Sequence, residues 1–490
     1  MLPPSLSPHR LFTVNADATR RDGDYVLYWM VAARRSRFNF ALERAVAWAH
    51  ELDRPLLVVE PLRVDYQWAS DRVHTAVLQG MADNHAAFGA AGVTYHPWVE
   101  PHVGASAGMF AAFAERACVV VTDASPVHFL PRWWLAVQRC PGTHLEAVDG
   151  HGLYPLAATP GPFSTAHAFR RFLQKNLSPE LVCWPEADPL RHAPHRVPPD
   201  SLTPLDRWPR ASPGILAARL DALGALPIDH AIAPVVRRSG PVAATGRLER
   251  FIEKNLPHYA DRRGDIDEDV SSGLSADLHF GHISPHEIVA AVAGASGGSP
   301  GGPKGKTDGK KTGWWGLPSS SELFLDQVIT WRELGAVQAH HRPDTHNRYE
   351  AVPDWARATL AAHAEDVRPV IYDHATLERA ATHDPLWNAA QRQLVREGHI
   401  HNYLRMLWGK KVLEWSPDPA EAFARLTELN NRYALDGRDP NSASGISWCF
   451  GHFDRPWGPT RPIFGTVRYM SSANTQRKMD TKAYLQRYSE

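Results

Sequence analysis

Two hydrophobic periods alternate along the first third of the chain. DYVLYWMVA at 24–32 is an apolar run of strand length, FNFALERAVAWAHEL at 38–52 has helical spacing, and PLLVVEPL at 55–62 is again an unbroken apolar run. Helical patterns over roughly 74–90 and 105–117 then alternate with GVTYHPW at 92–98 and CVVVTD at 118–123, followed by a helix at 127–139 and a short strand at 144–149. Unbroken rather than alternating apolar strands mark a sheet covered on both faces, so the order predicts an α/β domain with a doubly wound parallel sheet over 1–182.

From 183 to 245 proline and arginine rise and the periodicity fades, which reads as an interdomain connector. Beyond it the strand patterns stop. RLERFIEKNLPHYADRR, LHFGHISPHEIVAAVAG, ELFLDQVITWRELGAV, DWARATLAAHAEDV, PLWNAAQRQLVREGHIHNYLRMLWGKKVLEW and DPAEAFARLTELNNRYAL all carry helical spacing, so 246–490 is expected to be all helical. Within it, 294–313 (GASGGSPGGPKGKTDGKKTG) is a Gly/Lys-rich insertion with too little apolar surface to fold by itself. NNRYALDGRDPNSASGISW at 430–448 is polar and turn-rich and predicts a loop with no room for a core helix.

Composition narrows the class. Fifty-three basic residues balance fifty-three acidic ones, so any attraction to nucleic acid rests on local segregation, visible in the basic segment after Arg455. Four cysteines, Cys118, Cys140, Cys183 and Cys449, are widely spaced, which disfavours a disulfide framework or a zinc site and fits a reducing cytoplasm. No apolar stretch predicts a signal peptide or membrane span. Gly294–Gly298 matches GxSxG without the strand and helix that a nucleophile elbow requires, and Gly305-Lys306-Thr307 lacks the first glycine and the strand of a phosphate loop. His399 and His401 lack a third ligand at metal spacing and read as a surface pair.

Tryptophan is the unusual residue: seventeen in all, nine of them at or beyond Trp314. Trp408 and Trp415 are about two turns apart and share a helix face, and Trp387 starts the preceding helix. Three indoles can thus line up across two packed helices, a geometry that serves packing or the passage of an electron. The segment from Ser271 to Gly281, downstream of Tyr259 to Asp265, runs from Ser/Gly into a helix; it reads equally as a phosphate-binding turn and as a capped helix start.

VLYWM at 26–30, Tyr259 to Asp265, SGLSADLHFGHIS at 272–284, THDPLWNAAQ at 382–391, HNYLRMLWGKKVLEW at 401–415, LNNRYALDGRDPN at 429–441 and FGTVRYMS at 464–471 together resemble the class II cyclobutane pyrimidine dimer photolyases of the photolyase/cryptochrome family. The resemblance implies an α/β domain followed by an all-helical FAD-binding domain, and a carbon–carbon lyase that repairs DNA by electron transfer from photoexcited reduced FAD to a flipped pyrimidine dimer. It implies FAD contacts from Tyr259, Arg263, Ser272, Gly273, Leu274, Ser275, Asp436, Arg438 and Asp439, with Asn430 at flavin N5. It further implies electron transfer through Trp408, Trp387 and Trp415 with Tyr372 near the exit, and a lesion pocket of Gln327, Trp331, Met406 and Trp448. Gly264 stands where the family commonly has Asn, and Asp326-Gln327 where it commonly has two glutamates. A photoreceptor without repair activity, and repair of (6-4) photoproducts, are the alternative readings. A monomer is expected, with no metal and no membrane partner; no residue pattern assigns an antenna chromophore.

Overall fold

The computed structural model describes all residues except 1, 2, 4, 16, 127–141, 199–202, 268, 300–304 and 490. The helix expected at 127–139 lies outside the described residues. Strands β1 (Leu11–Thr13), β2 (Tyr25–Trp29), β3 (Leu56–Leu62), β4 (Thr94–Val99), β5 (Ala117–Ala124) and β6 (His144–Asp149) form one sheet in the order β1-β6-β5-β2-β3-β4. Every pairing is parallel except β1 with β6. That three-residue antiparallel edge was not expected, because LFT is too short to show a period. Helices α1 (Phe40–Leu52), α2 (Asp71–Ala90) and α3 (Met109–Arg116) cover the faces. The last is four residues shorter at its start than the spacing at 105–117 predicts, because Gly104 and Gly108 both take positive φ before it.

The connector is not featureless: short turns of helix occur at Pro189–His192, Pro213–Leu216 and Leu220–Leu223. The second part of the chain is helical, as its periodicity requires. The helices used below are α4 (Ala166–Asn176), which precedes the connector, α5 (Pro241–Arg250) at its end, and α6 (Pro285–Ala295), α7 (Ser319–Leu325), α8 (Arg332–His341), α9 (Pro385–Glu397), α10 (Asn402–Trp415), α11 (Pro419–Tyr433) and α12 (Pro440–Cys449) beyond it. Helix α12 corrects the expectation of a loop over 430–448: Asp439 caps it through Asn441 N (2.8 Å), Pro440 opens it, and only 434–439 is loop. Part of the insertion is docked rather than free. Gly309 N donates to Gln174 Oε1 (2.7 Å), and Arg170 and Gln174 of α4 donate to the carbonyls of Gly309 (3.2 Å) and Lys310 (2.9 Å). No helix among the described residues is long and apolar enough to cross a membrane.

Buried polar contacts join the two parts. Arg72 donates to the carbonyls of Tyr433 (2.5 Å) and Val395 (2.6 Å), and Glu333 accepts from Leu153 N (2.7 Å) and Tyr154 N (3.3 Å). Arg35 donates to the carbonyl of Gly281 (2.9 Å). Gly281 has φ 73°, and a Cβ there would sit 1.7 Å from the carbonyl oxygen of Ala32. Gly281→Ala is therefore expected to cost about 1–3 kcal/mol from the backbone alone, plus the collision, read as a lower midpoint in urea. An unchanged midpoint would mean that the seam does not close at this residue.

Candidate functional site

The aromatic line follows from helix packing. Asp384 caps α9 through Leu386 N and Trp387 N (both 3.1 Å), with Pro385 at the first position, and this fixes Trp387 in the first turn. Trp387 stacks on Trp408 (6.5 Å, 10°) and meets Trp415 edge-on (5.5 Å, 70°). Tyr372 lies against Trp415 (5.5 Å, 87°). The indole N–H groups are committed: Trp387 Nε1 donates to Trp408 O (3.0 Å) and Trp408 Nε1 to Gln391 Oε1 (2.9 Å). The three tryptophans are at most 2 % exposed while Tyr372 is only half-buried, so the line runs from core to surface.

At its inner end, Arg405 stands one turn before Trp408 on α10 and grips Asp436 with both terminal nitrogens (3.1 and 2.9 Å). Against burial, which would raise it, Arg405 and the Ser275 hydroxyl hold the Asp436 carboxyl down at about 2. One carboxylate thus joins α10, the 434–439 loop and the Ser272–Ser275 turn. Both amide hydrogens of the buried Asn430 are used, toward Ser442 Oγ (2.8 Å) and Asn431 Oδ1 (3.0 Å), which leaves its side-chain carbonyl oxygen as an acceptor. Arg438 takes φ 68°, a left-handed conformation held by its N–H on Asn431 Oδ1 (2.9 Å). Asp439 caps α12 and lies 3.2 Å from His279 Nδ1.

Ser272 Oγ accepts from Leu274 N (3.3 Å), and Gly273 turns at φ 63° with its carbonyl on Arg237 (2.6 Å). Buried Asp277 is shared by Arg237 (2.5 Å) and Arg247 (3.0 Å). Tyr259 packs on Phe251 (5.9 Å) and Phe324 (5.6 Å); burial pushes its phenol up and the neighbouring Arg263 opposes this. Burial lowers the pKa of the His401 ring, with Asp269 and the backbone of Arg263 opposing it. The histidine pair is not a surface pair: His401 is buried, and His399 lies 3.4 Å from Asp269. Against burial, Asp269 and Glu397 raise His399 to about 9. Among the described residues no group of three or more side chains is arranged to hold a metal.

Trp331 and Trp448 stack at 5.0 Å and 26°. Gln327 and Trp331 both sit in the π-helical turn Asp326–Trp331 between α7 and α8, a distortion that re-aims side chains within a continuous helix. Asp326 points elsewhere, into a buried bidentate pair with Arg170 (2.6 and 3.0 Å). Met406 packs against the core that holds the tryptophan line. The sequence reading missed Arg405, Ser442 and Asp277; Arg405 alone carried a signal, as the lone cation in NYLRMLW.

A cavity lies between the sheet and the helical part of the chain, at the carboxyl ends of β2, β3 and β5, where open α/β sheets bind ligands. Trp29, Met109, Phe110 and Tyr66 give it apolar walls, with Arg63 and Arg332 among its polar lining. Trp29 Nε1, Arg63 Nε and Arg332 Nε are buried without a hydrogen-bond partner in the protein.

No family model matches the chain. A deoxyribodipyrimidine photo-lyase of Methanothermobacter thermautotrophicus is 31% identical over 479 residues, 98% of this chain and 97% of that relative. A deoxyribodipyrimidine photo-lyase of Oryza sativa subsp. japonica is 31% identical over 95% of this chain and 87% of its own length, and one of Arabidopsis thaliana 29% identical over 94% and 88%. The crystal structure of a bacterial class III photolyase from Agrobacterium tumefaciens matches with a TM-score of 0.69 over 95% of this chain and 86% of its own, at 18% identity, which speaks to fold alone. The chain belongs to the deoxyribodipyrimidine photo-lyase family.

Proposed function

We propose that this protein is a light-driven DNA repair flavoenzyme that splits cyclobutane pyrimidine dimers. The observation that carries the reading is the continuous line Trp408, Trp387, Trp415, Tyr372 from a buried polar cluster to the surface. The residues fit FAD. Arg237, Arg247 and Arg405 around Asp277 and Asp436 leave one positive charge in excess beside the Ser272–Ser275 turn, which suits a diphosphate. Asn430 offers an acceptor for a ring N–H, and Asp436, Arg438 and Asp439 hold the loop around it. Tyr259, Arg263, Gly273 and Leu274 complete the proposed binding surface. Bound and reduced, FAD supplies the photoexcited electron donor that opens the cyclobutane ring.

The chain's own residues supply the rest. The stacked Trp331 and Trp448 form an apolar wall for a dimer turned out of the helix, with Gln327 offering both a donor and an acceptor to its polar edge and Met406 as soft packing. Flipping costs a few kcal/mol and least for a poorly stacked lesion. Basic residues around the pocket supply backbone affinity that weakens with salt. Purified protein is expected to be yellow with about one FAD per chain, and to remove dimers from irradiated DNA in light but not in darkness; the same spectrum reports any second pigment held by the interdomain cavity. Colourless folded protein that takes up no FAD overturns the reading, and reduced holoprotein that binds damaged DNA without splitting it points to a photoreceptor.

Gln327 bears on efficiency. A glutamate there matches the family pattern, and a buried base edge left unpaired costs about 1–3 kcal/mol. Gln327→Glu is expected to split dimers at an equal or greater rate; a clear loss of splitting with unchanged DNA binding would remove Gln327 from the lesion pocket.

A further inference from the structure

At the outer end of the line, His383 stands on the phenol of Tyr372. The backbone N–H of His383 donates to the phenolic oxygen (2.9 Å), and that oxygen lies 2.7 Å from His383 Nδ1. With its oxygen accepting from the backbone, the phenol directs its own proton at the imidazole lone pair. Trp415 faces both rings, at 5.5 Å from Tyr372 and 5.4 Å from His383.

This terminus is preorganised. Tyr372 is fixed by its N–H on Trp415 O (3.1 Å) and by Arg425 on its carbonyl (2.6 Å). The turn carrying His383 is fixed by Asn388, whose side chain accepts from Thr382 N (3.1 Å) and Thr382 Oγ (2.7 Å) and donates to Thr382 O (2.8 Å). His383 is also exposed, so a proton received on its ring can pass on to water.

We propose that His383 accepts the phenolic proton of Tyr372 as Tyr372 gives an electron to oxidised Trp415, so that the pair forms a proton-coupled terminus of the electron chain. The inference rests on the chain proposed above. In the step, the Tyr372 O–H bond breaks; the electron fills the hole on the Trp415 indole, which returns to neutral tryptophan. The proton bonds His383 Nδ1, leaving an imidazolium and a neutral tyrosyl radical. A one-electron reductant such as a thiol then returns an electron to the phenoxyl oxygen, and the imidazolium or water returns the proton. Oxidation without an acceptor in hydrogen-bond reach would leave a strongly acidic phenol cation, and a positioned base removes that cost. The hole is then kept from running back to Trp415, because return requires the proton as well.

Transient absorption and electron paramagnetic resonance on the holoprotein test this. In the natural protein a tryptophan radical should give way to a neutral tyrosyl radical, more slowly in D2O, and Tyr372→Phe should abolish the tyrosyl signal. In His383→Phe, and in His383→Gln, which keeps an acceptor that is not a base, tyrosyl formation should fall by about tenfold or more while the tryptophan radical still forms. Tyrosyl formation at the natural rate in both variants, or without an isotope effect, overturns the proposal and leaves the tryptophan chain standing. Absence of any tryptophan radical in the natural protein overturns the chain itself. Nitrogen-15 histidine spectra give a readout independent of photochemistry: His383 Nδ1 should be an unprotonated acceptor whose signal moves in Tyr372→Phe, and a protonated Nδ1 also overturns the proposal.

Discussion

Trp387→Phe abolishes light-driven reduction of oxidised flavin in the presence of an external reductant, while dimer splitting by chemically reduced enzyme survives. Trp387 touches both Trp408 and Trp415, so it links the inner and outer indoles. Phenylalanine preserves an aromatic ring but is far harder to oxidise, and it removes the N–H bond to Trp408 O (3.0 Å). The fold has a margin to absorb this: the lost volume and hydrogen bond together cost about 1–3 kcal/mol, and the capping of α9 by Asp384 does not involve the indole. The check is the rate of flavin bleaching under blue light, alongside dimer loss with dithionite-reduced protein. Bleaching at the natural rate would show that electrons enter by another path. Loss of dimer splitting as well would mean that Trp387 acts on the lesion or on folding rather than on photoreduction.

The α/β sheet was legible because its strands are buried on both faces and read as unbroken apolar runs. The tryptophan line was legible for a similar reason: the seven-residue step from Trp408 to Trp415 is a local spacing, and Pro385 marks the start of the helix that carries Trp387. What stayed hidden depends on residues far apart in the chain. Arg405 meets Asp436, Tyr372 meets His383 and Asn430 meets Ser442 only after the helices pack, and no period encodes those meetings. Helix α12 was hidden by composition. PNSASGISWC is rich in small polar residues that favour turns, yet it packs closely on α8, where a Cβ at Gly335 would sit 2.7 Å from Pro440 O. Tertiary contact overrode the weak local propensity, and the Asp439-Pro440 start signal was the stronger clue.

Asp436→Asn should have the largest effect on the cofactor cluster, because it strips Arg405 of its partner in a place that water reaches poorly. The two side chains are 13% and 22% exposed, so the cost falls short of a fully buried pair but still amounts to about 2–3 kcal/mol. Asparagine keeps the shape and one acceptor, but it cannot neutralise the guanidinium or match both of its terminal nitrogens. The variant is expected to bind FAD several-fold more weakly and to unfold at lower urea. Its pH signature separates charge from packing. The folded Asp436 titrates near 2, below the ordinary aspartate value of about 3.9, so its contribution is fully present above pH 4 and is lost only as pH falls toward 2. The stability gap between natural protein and variant should therefore be flat from about pH 8 to 5 and narrow only below about 4, as Asp436 itself takes up a proton. Urea midpoints measured across that range decide the matter: a gap that shrinks between pH 8 and 5, or no gap at all, would show that the Asp436–Arg405 pair does not hold the loop to the tryptophan helix.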